Sequence, residues 1–413
     1  WRWTRSAAPE GLRLQGQSSG QTGCMPSIPA LVEPAILAWA RRSANLEPIA
    51  ADRKIGVPEG RVEQWERSEV RPTIAQLRKA AKAYRQTLAV FFLPEPPKGF
   101  NTLRDFRRLA GHAHGQWSAA LQAEYRRAHA QRDVLLELAE LDGEDPVANW
   151  KLGTPGSDDA LADKARPHLL DQAAVPFPTQ GADEYKHLNF WTNALEEAGV
   201  LVMSTEGGDV EVDEMRAFSL YFDEVPVIML NGADATRGRL FSLVHEYVHL
   251  LLHTEGLCDT TTDARATTAD RALEARCNAV AAAILMPAMA VRASPLVDDH
   301  KAGEPWSLPD LIRAAKPFGV SVEAFLRRLV TLDRVDLRAY QDFRGGREVE
   351  GGKRRSSGGN FYSTKARDLG KGYVRRVSAA HRRAVIDSTT AATYLDVKVG
   401  QIPKLSRAAQ VGT

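Results

Sequence analysis

Apolar residues at helical spacing dominate the first part of the chain. Between positions 36 and 84 they recur three and four residues apart, which predicts several short helices packed together. Gly56 predicts a tight turn between the second and third helices, and Thr73 predicts an N-cap for the fourth. A short helix, a glycine turn and another short helix follow the plan of a helix-turn-helix. The apolar positions are Ile36, Leu37, Ala40, Ile49, Ala50, Val62, Trp65, Ile74, Leu77, Ala80, Ala81 and Tyr84.

From residue 184 the patterns alternate. A helical stretch, EYKHLNFWTNALEEAG, precedes the apolar run VLVMS, then RAFSLYF, then a second apolar run, VPVIMLN. Next comes FSLVHEYVHLLLH, residues 241–253, with an apolar face that would bury a helix. Helix, strands and a histidine-bearing helix predict a small α+β catalytic unit in a mainly helical α+β protein.

Two histidines on that last helix suggest metal chemistry. His245 and His249 are four residues apart, so they share one helix face and can bind one ion. Neutral imidazole is a preferred zinc ligand, and the neighbouring Glu246 can take a proton from a zinc-bound water. His253 lies eight residues from His245, about 12 Å along a helix, which is too far for both to bind one small ion. The alternative is an amphipathic helix that carries histidines by chance.

A catalytic zinc needs a third protein ligand. The metzincin pattern requires glycine at position 252 and histidine at 255, and the chain has Leu252 and Glu255 instead. The helical stretch ALEARCNAVAAAILMP, residues 272–287, offers Glu274, followed by small residues that allow two helices to approach closely. Two histidines, a glutamate and a water form a known hydrolytic zinc set.

The two segments together resemble the ImmA/IrrE family of metallopeptidases. LRDFRRL (103–109), LEEAGVLVM (195–203) and VPVIMLN (225–231) extend the resemblance over roughly 100–335. It implies a zincin-like fold and cleavage of a transcriptional repressor. The implied zinc ligands are His245, His249 and Glu274, and the implied general base is Glu246. No residue identifies itself as the oxyanion partner, and Tyr247 and His253 are only nearby candidates.

Cys277 departs from the family pattern, which usually has alanine before Asn278. Three residues from Glu274, Cys277 lies beside it on the helix surface. A thiolate is a strong zinc ligand and could compete with Glu274, or the cysteine could simply fill the core. Cys258 is open to the same two interpretations.

The N-terminal stretch VEQWERSEVRPTIAQLRKAAKAY, followed by LAVFFLP, resembles the XRE-type (repressor-like) helix-turn-helix over about 34–93. The implied recognition helix, 59–67, carries arginine and glutamine side chains that can contact base edges. Glu59 and Glu63 on the same helix weaken phosphate attraction. A helical module that docks protein or braces the next domain is therefore the alternative. The candidate DNA-binding residues are Arg61, Gln64 and Arg67.

Composition sets the remaining limits. The 413 residues suffice for two or three domains, and the net charge of +2 is uninformative except that the last seventy residues are basic. No run approaches the roughly 20 apolar residues of a membrane span, and three cysteines form no paired framework, which favours the cytoplasm. The predicted segments are a disordered extension (1–24), a five-helix XRE-type domain (25–93), a linker and helical connector (94–154), a zincin-like domain (155–340), and a basic linker with a small helical tail (341–413).

These features predict a cytoplasmic zinc endopeptidase that cleaves a repressor or similar regulatory protein and binds DNA through its N-terminal domain. The alternative is a helix-turn-helix regulator or antitoxin-like protein whose zincin domain senses a ligand or partner without cutting. A base at Glu246 favours the peptidase, because a site that only binds needs none.

Overall fold

The computed structural model is mainly helical with one small mixed sheet. The chain divides into two compact units between Pro97 and Lys98, and each is described by itself. The predictions for residues 1–24, for LRDFRRL, for His253 and for most of the basic linker fall outside the described residues. The structure describes residues 29–44, 46–84, 86, 88–95, 118–153, 157–179, 181–206, 208–252, 256–258, 268–300, 304–345 and 360–410.

Among its described residues, the first unit has four α-helices and a 3-10 helix at Leu88–Phe92. Both predicted boundary signals are confirmed. Gly56 ends the second helix in the left-handed conformation, with φ 75°. The Thr73 hydroxyl accepts from the Gln76 amide, and the Gln76 side chain accepts from the Thr73 amide. The helices are α1 Pro34–Ser43, α2 Pro48–Ile55, α3 Arg61–Glu66 and α4 Ile74–Ala83.

A buried carboxylate holds the start of α3. Asp52 on α2 is fully buried and accepts hydrogen bonds from the backbone amides of Gly60, at 2.7 Å, and Val62, at 2.9 Å. The first amides of a helix have no partner within the helix, so a carboxylate there satisfies them and interacts favourably with the helix dipole. Asp52 thus fixes the angle between α2 and α3, a role that the spacing of apolar residues does not indicate.

The second unit contains fourteen further α-helices among its described residues and a four-stranded sheet. The Ser321 hydroxyl accepts a hydrogen bond from the Ala324 amide and so caps the helix that follows it. The helices are α5 Ala119–Asp142, α6 Asp158–Gln172, α7 Glu184–Glu197, α8 Thr236–Leu251, α9 Thr268–Leu285, α10 Ala288–Arg292, α11 Pro295–Asp298, α12 Leu308–Ala315, α13 Val322–Thr331, α14 Leu337–Gly345, α15 Phe361–Leu369, α16 Lys371–Arg382, α17 Ser388–Tyr394 and α18 Ile402–Ala408. The strands are β1 Leu201–Ser204, β2 Ala217–Leu220, β3 Val227–Leu230 and β4 Gly256–Cys258.

The sheet order is β1-β3-β2-β4. β1 runs parallel to β3, whereas β2 is antiparallel to both β3 and β4. Successive side chains of a strand point to opposite faces. Val202, Ala217 and Ile228 accordingly join the core that contains α8, while Met203, Phe218 and Met229 join a second core on the opposite face. The sheet is therefore covered on both faces.

The second face of the sheet is covered by α5 and by α15 to α18. The sequence pattern predicts that these helices belong to a connector and to a small tail, but in the structure they pack in one core with β1, β2 and β3. Polar contacts reinforce the packing: Glu196 on α7 accepts from the Gly372 amide at 2.7 Å, and Arg127 on α5 donates to the carbonyl of Ser204. None of the helices within the described ranges is long and apolar enough to cross a membrane.

Candidate metal centre

The histidine helix α8 lies in the centre of the second unit. It packs between α7 and α9 and against β2 and β3. Leu240, Leu243, Val244, Val248 and Leu250 on this helix belong to the surrounding core. Because these apolar residues bury the helix, its polar side chains are buried too, and His245, Glu246 and His249 are almost completely inaccessible to solvent.

Three of the predicted residues converge at one point. Nε2 of His245 lies 3.0 Å from Nε2 of His249. The Glu274 carboxylate, on α9, lies across from both rings, with Oε2 3.2 Å from Nε2 of His245 and Oε1 3.3 Å from Nε2 of His249. The three side chains form the one group of potential metal ligands that the described part of the chain contains.

These distances fit a metal ion the size of zinc. Ligand atoms bonded at about 2.0–2.1 Å to one tetrahedral zinc lie roughly 3.3 Å from one another, close to the 3.0–3.3 Å separations of the three residues. Three protein ligands leave a fourth position for a water or a substrate, which is the pattern of catalytic rather than structural zinc sites. The donor set therefore fits the implied cofactor.

The environment shifts the pKa values of Glu274 and His249 in opposite directions. Burial alone would raise the pKa of Glu274, but hydrogen bonds from His245 and His249 outweigh it and lower that pKa to about 2. For His249 burial acts in the opposite direction and would lower the pKa, but contacts with the Cys277 thiol, Glu274 and Glu246 outweigh it and raise that pKa to about 11. Metal ligation requires neutral imidazole. A cation that binds here would therefore have to displace a proton from His249.

Glu246 lies beside this triangle without joining it. Its Oε2 accepts a hydrogen bond of 2.7 Å from the hydroxyl of Ser219, on β2. Its Oε1 is buried and has no hydrogen-bond partner among the residues that the structure describes. Burial raises the pKa of Glu246, opposed by the two histidines and by the Ser219 hydrogen bond. A buried carboxylate with one free oxygen beside a metal site is the arrangement that a general base needs.

Ser219 is the functional-site residue that the sequence analysis missed. It lies 27 positions before Glu246, in the stretch RAFSLYF. Alternation between the small Ala217, the large Phe218 and Ser219 indicates that Ser219 shares a face with Ala217. No local pattern could indicate that this face meets Glu246, because the contact depends on how the sheet packs against α8.

The structure also places Cys277, a candidate metal ligand, and Tyr247, a candidate oxyanion partner. Cys277 is fully buried and interacts with His249, but it is not one of the three converging ligands. Burial raises the pKa of its thiol, which favours the protonated form. Tyr247 is buried, and its hydroxyl donates to the carbonyl of Trp150 at 3.0 Å, so the proton of that hydroxyl is already engaged in a hydrogen bond. The Cys258 side chain and His253 lie outside the described residues.

In the first unit, the candidate DNA-binding residues lie on the accessible face of α3 and at its end, while Val62 and Trp65 bury the opposite face. Arg61 and Gln64 are half-buried and Arg67 is exposed. Arg67 forms an exposed ion pair with Glu63 at 3.1 Å, which offsets part of the positive charge available to a phosphate.

Comparison with known proteins bears on the second unit. Residues 195–330 match the IrrE N-terminal-like domain, the Peptidase M78 family. The matched segment extends from the end of α7 through α13 and contains His245, Glu246, His249 and Glu274. The match supports an ImmA/IrrE-type metallopeptidase domain in this part of the chain, in agreement with the resemblance found in the sequence. No curated protein and no solved structure matches the chain significantly.

Proposed function

We propose that the chain is a zinc-dependent endopeptidase of the IrrE/ImmA type. The observation that carries the proposal is the convergence of buried His245 and His249 with the partly exposed Glu274. Beside them lies Glu246, of which one oxygen has no hydrogen-bond partner among the described residues. When bound, zinc would supply a Lewis acid that activates a water molecule and polarises a peptide carbonyl. The three ligands would hold the ion and leave one position open to reactants.

Glu246 performs the proton transfers in this proposal. Its Oε1 accepts a proton from the attacking water, and the same carboxyl group later donates that proton to the leaving amine. The carboxylate is fully buried, and this burial keeps its pKa above the ordinary value although the two histidines and the Ser219 hydrogen bond oppose the rise. A base with a raised pKa holds the proton more firmly between the two transfers, which suits a group that must both take up and return a proton.

The substrate that we propose is a transcriptional repressor or similar regulatory protein, cleaved in the cytoplasm. We further propose that the first unit binds DNA through Arg61, Gln64 and Arg67. The supporting features are the short helices α2 and α3 joined through Gly56 and the accessible polar face of α3. Arginine and glutamine on such a face can read base edges.

The test compares the wild type with Glu246→Gln and His245→Ala. Each purified protein is analysed for zinc and incubated with repressors encoded near its gene, and fragments are identified by mass spectrometry. We expect zinc and a defined cut for the wild type, zinc without the cut for Glu246→Gln, and neither for His245→Ala. Absence of zinc uptake by the folded wild type would refute the peptidase proposal.

Glu246→Gln and a further variant, Arg61→Ala, together separate the peptidase from a regulator that only binds DNA. A regulatory effect in cells that persists in Glu246→Gln but is lost in Arg61→Ala would favour a DNA-binding regulator without proteolysis. DNA binding itself is measured by fluorescence anisotropy over a range of salt concentrations. Arg61→Ala is expected to weaken binding, and loss of a phosphate contact would also reduce the salt dependence.

A further inference from the structure

A single hydrogen bond from the sheet restrains the carboxylate of Glu246. The Ser219 hydroxyl donates to Oε2 at 2.7 Å, and both side chains are buried, at 2% and 0% exposure. Oε1 has no partner among the residues described. A carboxylate group rotates easily about its terminal bond, so without a fixed donor its plane could adopt several orientations relative to the metal ligands.

The sheet makes Ser219 a fixed donor. Ser219 lies opposite Ile228 of β3 and opposite Gly256 of β4, so its strand is paired on both sides. Phe218 and Leu220 pack in the core on the far face of the sheet, whereas Ala217 packs in the core of α8. Because strand side chains alternate between faces, Ser219 is directed toward α8 and has little freedom to turn away.

We propose that Ser219 is a positioning residue for Glu246. By occupying Oε2 it restrains the carboxylate beside the metal ligands and reserves Oε1 for the proton of the attacking water. This inference rests on the proposed peptidase function. It extends the site to a residue on β2, beyond the two helices that carry the ligands and the base. The competing explanation is that the serine only satisfies a buried carboxylate and has no influence on the site.

The test uses Co²⁺ as a probe, because its visible absorption spectrum reports the number and arrangement of its ligands. In Ser219→Ala the released carboxylate can rotate toward the ion, so we expect a changed Co²⁺ spectrum, with Ser219→Thr restoring that of the wild type. In a Glu246→Ala background, Ser219→Ala should cause no further change. Ser378→Ala is the matched control, because Ser378 is equally buried and its hydroxyl has no partner among the described residues.

The outcomes separate this inference from the proposed function. A wild-type spectrum in Co²⁺-loaded Ser219→Ala would overturn the positioning role alone, as would an equal change in the Glu246→Ala background. Failure of the folded wild type to bind Co²⁺ would remove the peptidase proposal itself. If Ser219→Ala does not fold, Ser219→Cys replaces it, because a thiol is similar in shape but a much weaker donor. With a cleaved substrate in hand, losing the hydroxyl should lower kcat by about 10–100-fold at unchanged KM.

Discussion

The role of Glu274 is open to a quantitative test, because it is the one proposed ligand outside α8. In Glu274→Ala the triangle of ligand atoms loses the corner that α9 supplies, and two imidazoles remain 3.0 Å apart. Structural zinc sites with four protein ligands bind with about 10–16 kcal/mol, or about 2.5–4 kcal/mol for each ligand. At about 1.4 kcal/mol for each factor of ten, the variant should bind zinc about 10²–10³-fold more weakly.

The assay is competition for zinc against a chromophoric chelator of known affinity at neutral pH. Glu274→Gln keeps the size of the side chain but removes its charge, and should lose most of the same affinity. Glu323→Ala, which removes a partly exposed glutamate of α13, is the control and should bind as the wild type does. Zinc affinity of Glu274→Ala within threefold of the wild type would refute the reasoning and leave the third ligand to be found elsewhere, with Cys277 the first residue to examine.

Three further predictions concern proton release and the two units. Zinc binding at pH 8 should release about one proton from His249, because the pKa of the metal-free residue is raised to about 11 and zinc binds only the neutral imidazole. The release, measured by calorimetry in two buffers, should decrease as the pH rises through 11, and no release at pH 8 would contradict the prediction. Asp52→Ala should lower the free energy of local opening of α3 by about 2–5 kcal/mol, because two backbone amides lose a charged acceptor. Hydrogen exchange measures this free energy, and an equal decrease in Asp52→Asn would argue against a role for the charge. Gly370→Ala should lower the free energy of unfolding, measured in urea, by about 2–4 kcal/mol, because φ is 90° and a Cβ would lie 2.3 Å from the Val202 carbonyl oxygen. Gly400→Ala, where a Cβ would meet open space, is the control, and similar losses in both variants would refute the steric argument.

Much of the candidate site follows from local sequence. The four-residue spacing of His245 and His249 places them on one helix face, independently of how the helix packs in the fold. The position of Glu274 on a second helix follows from its own periodicity and from the resemblance to the ImmA/IrrE family. The structure adds the distances, 3.2 and 3.3 Å from the two rings, which no pattern along one helix could supply.

The sequence alone determined the short-range features: short helices in the first unit, the cap at Thr73, the turn at Gly56, and the shared face of the two histidines. Each depends on residues within about one helical turn. Only the tertiary structure decided the strand order β1-β3-β2-β4, the packing of α15 to α18 on the sheet, and the contact between Ser219 and Glu246. Those features join residues far apart in the chain, and their partners are selected by the register and packing of the whole sheet rather than by any local pattern.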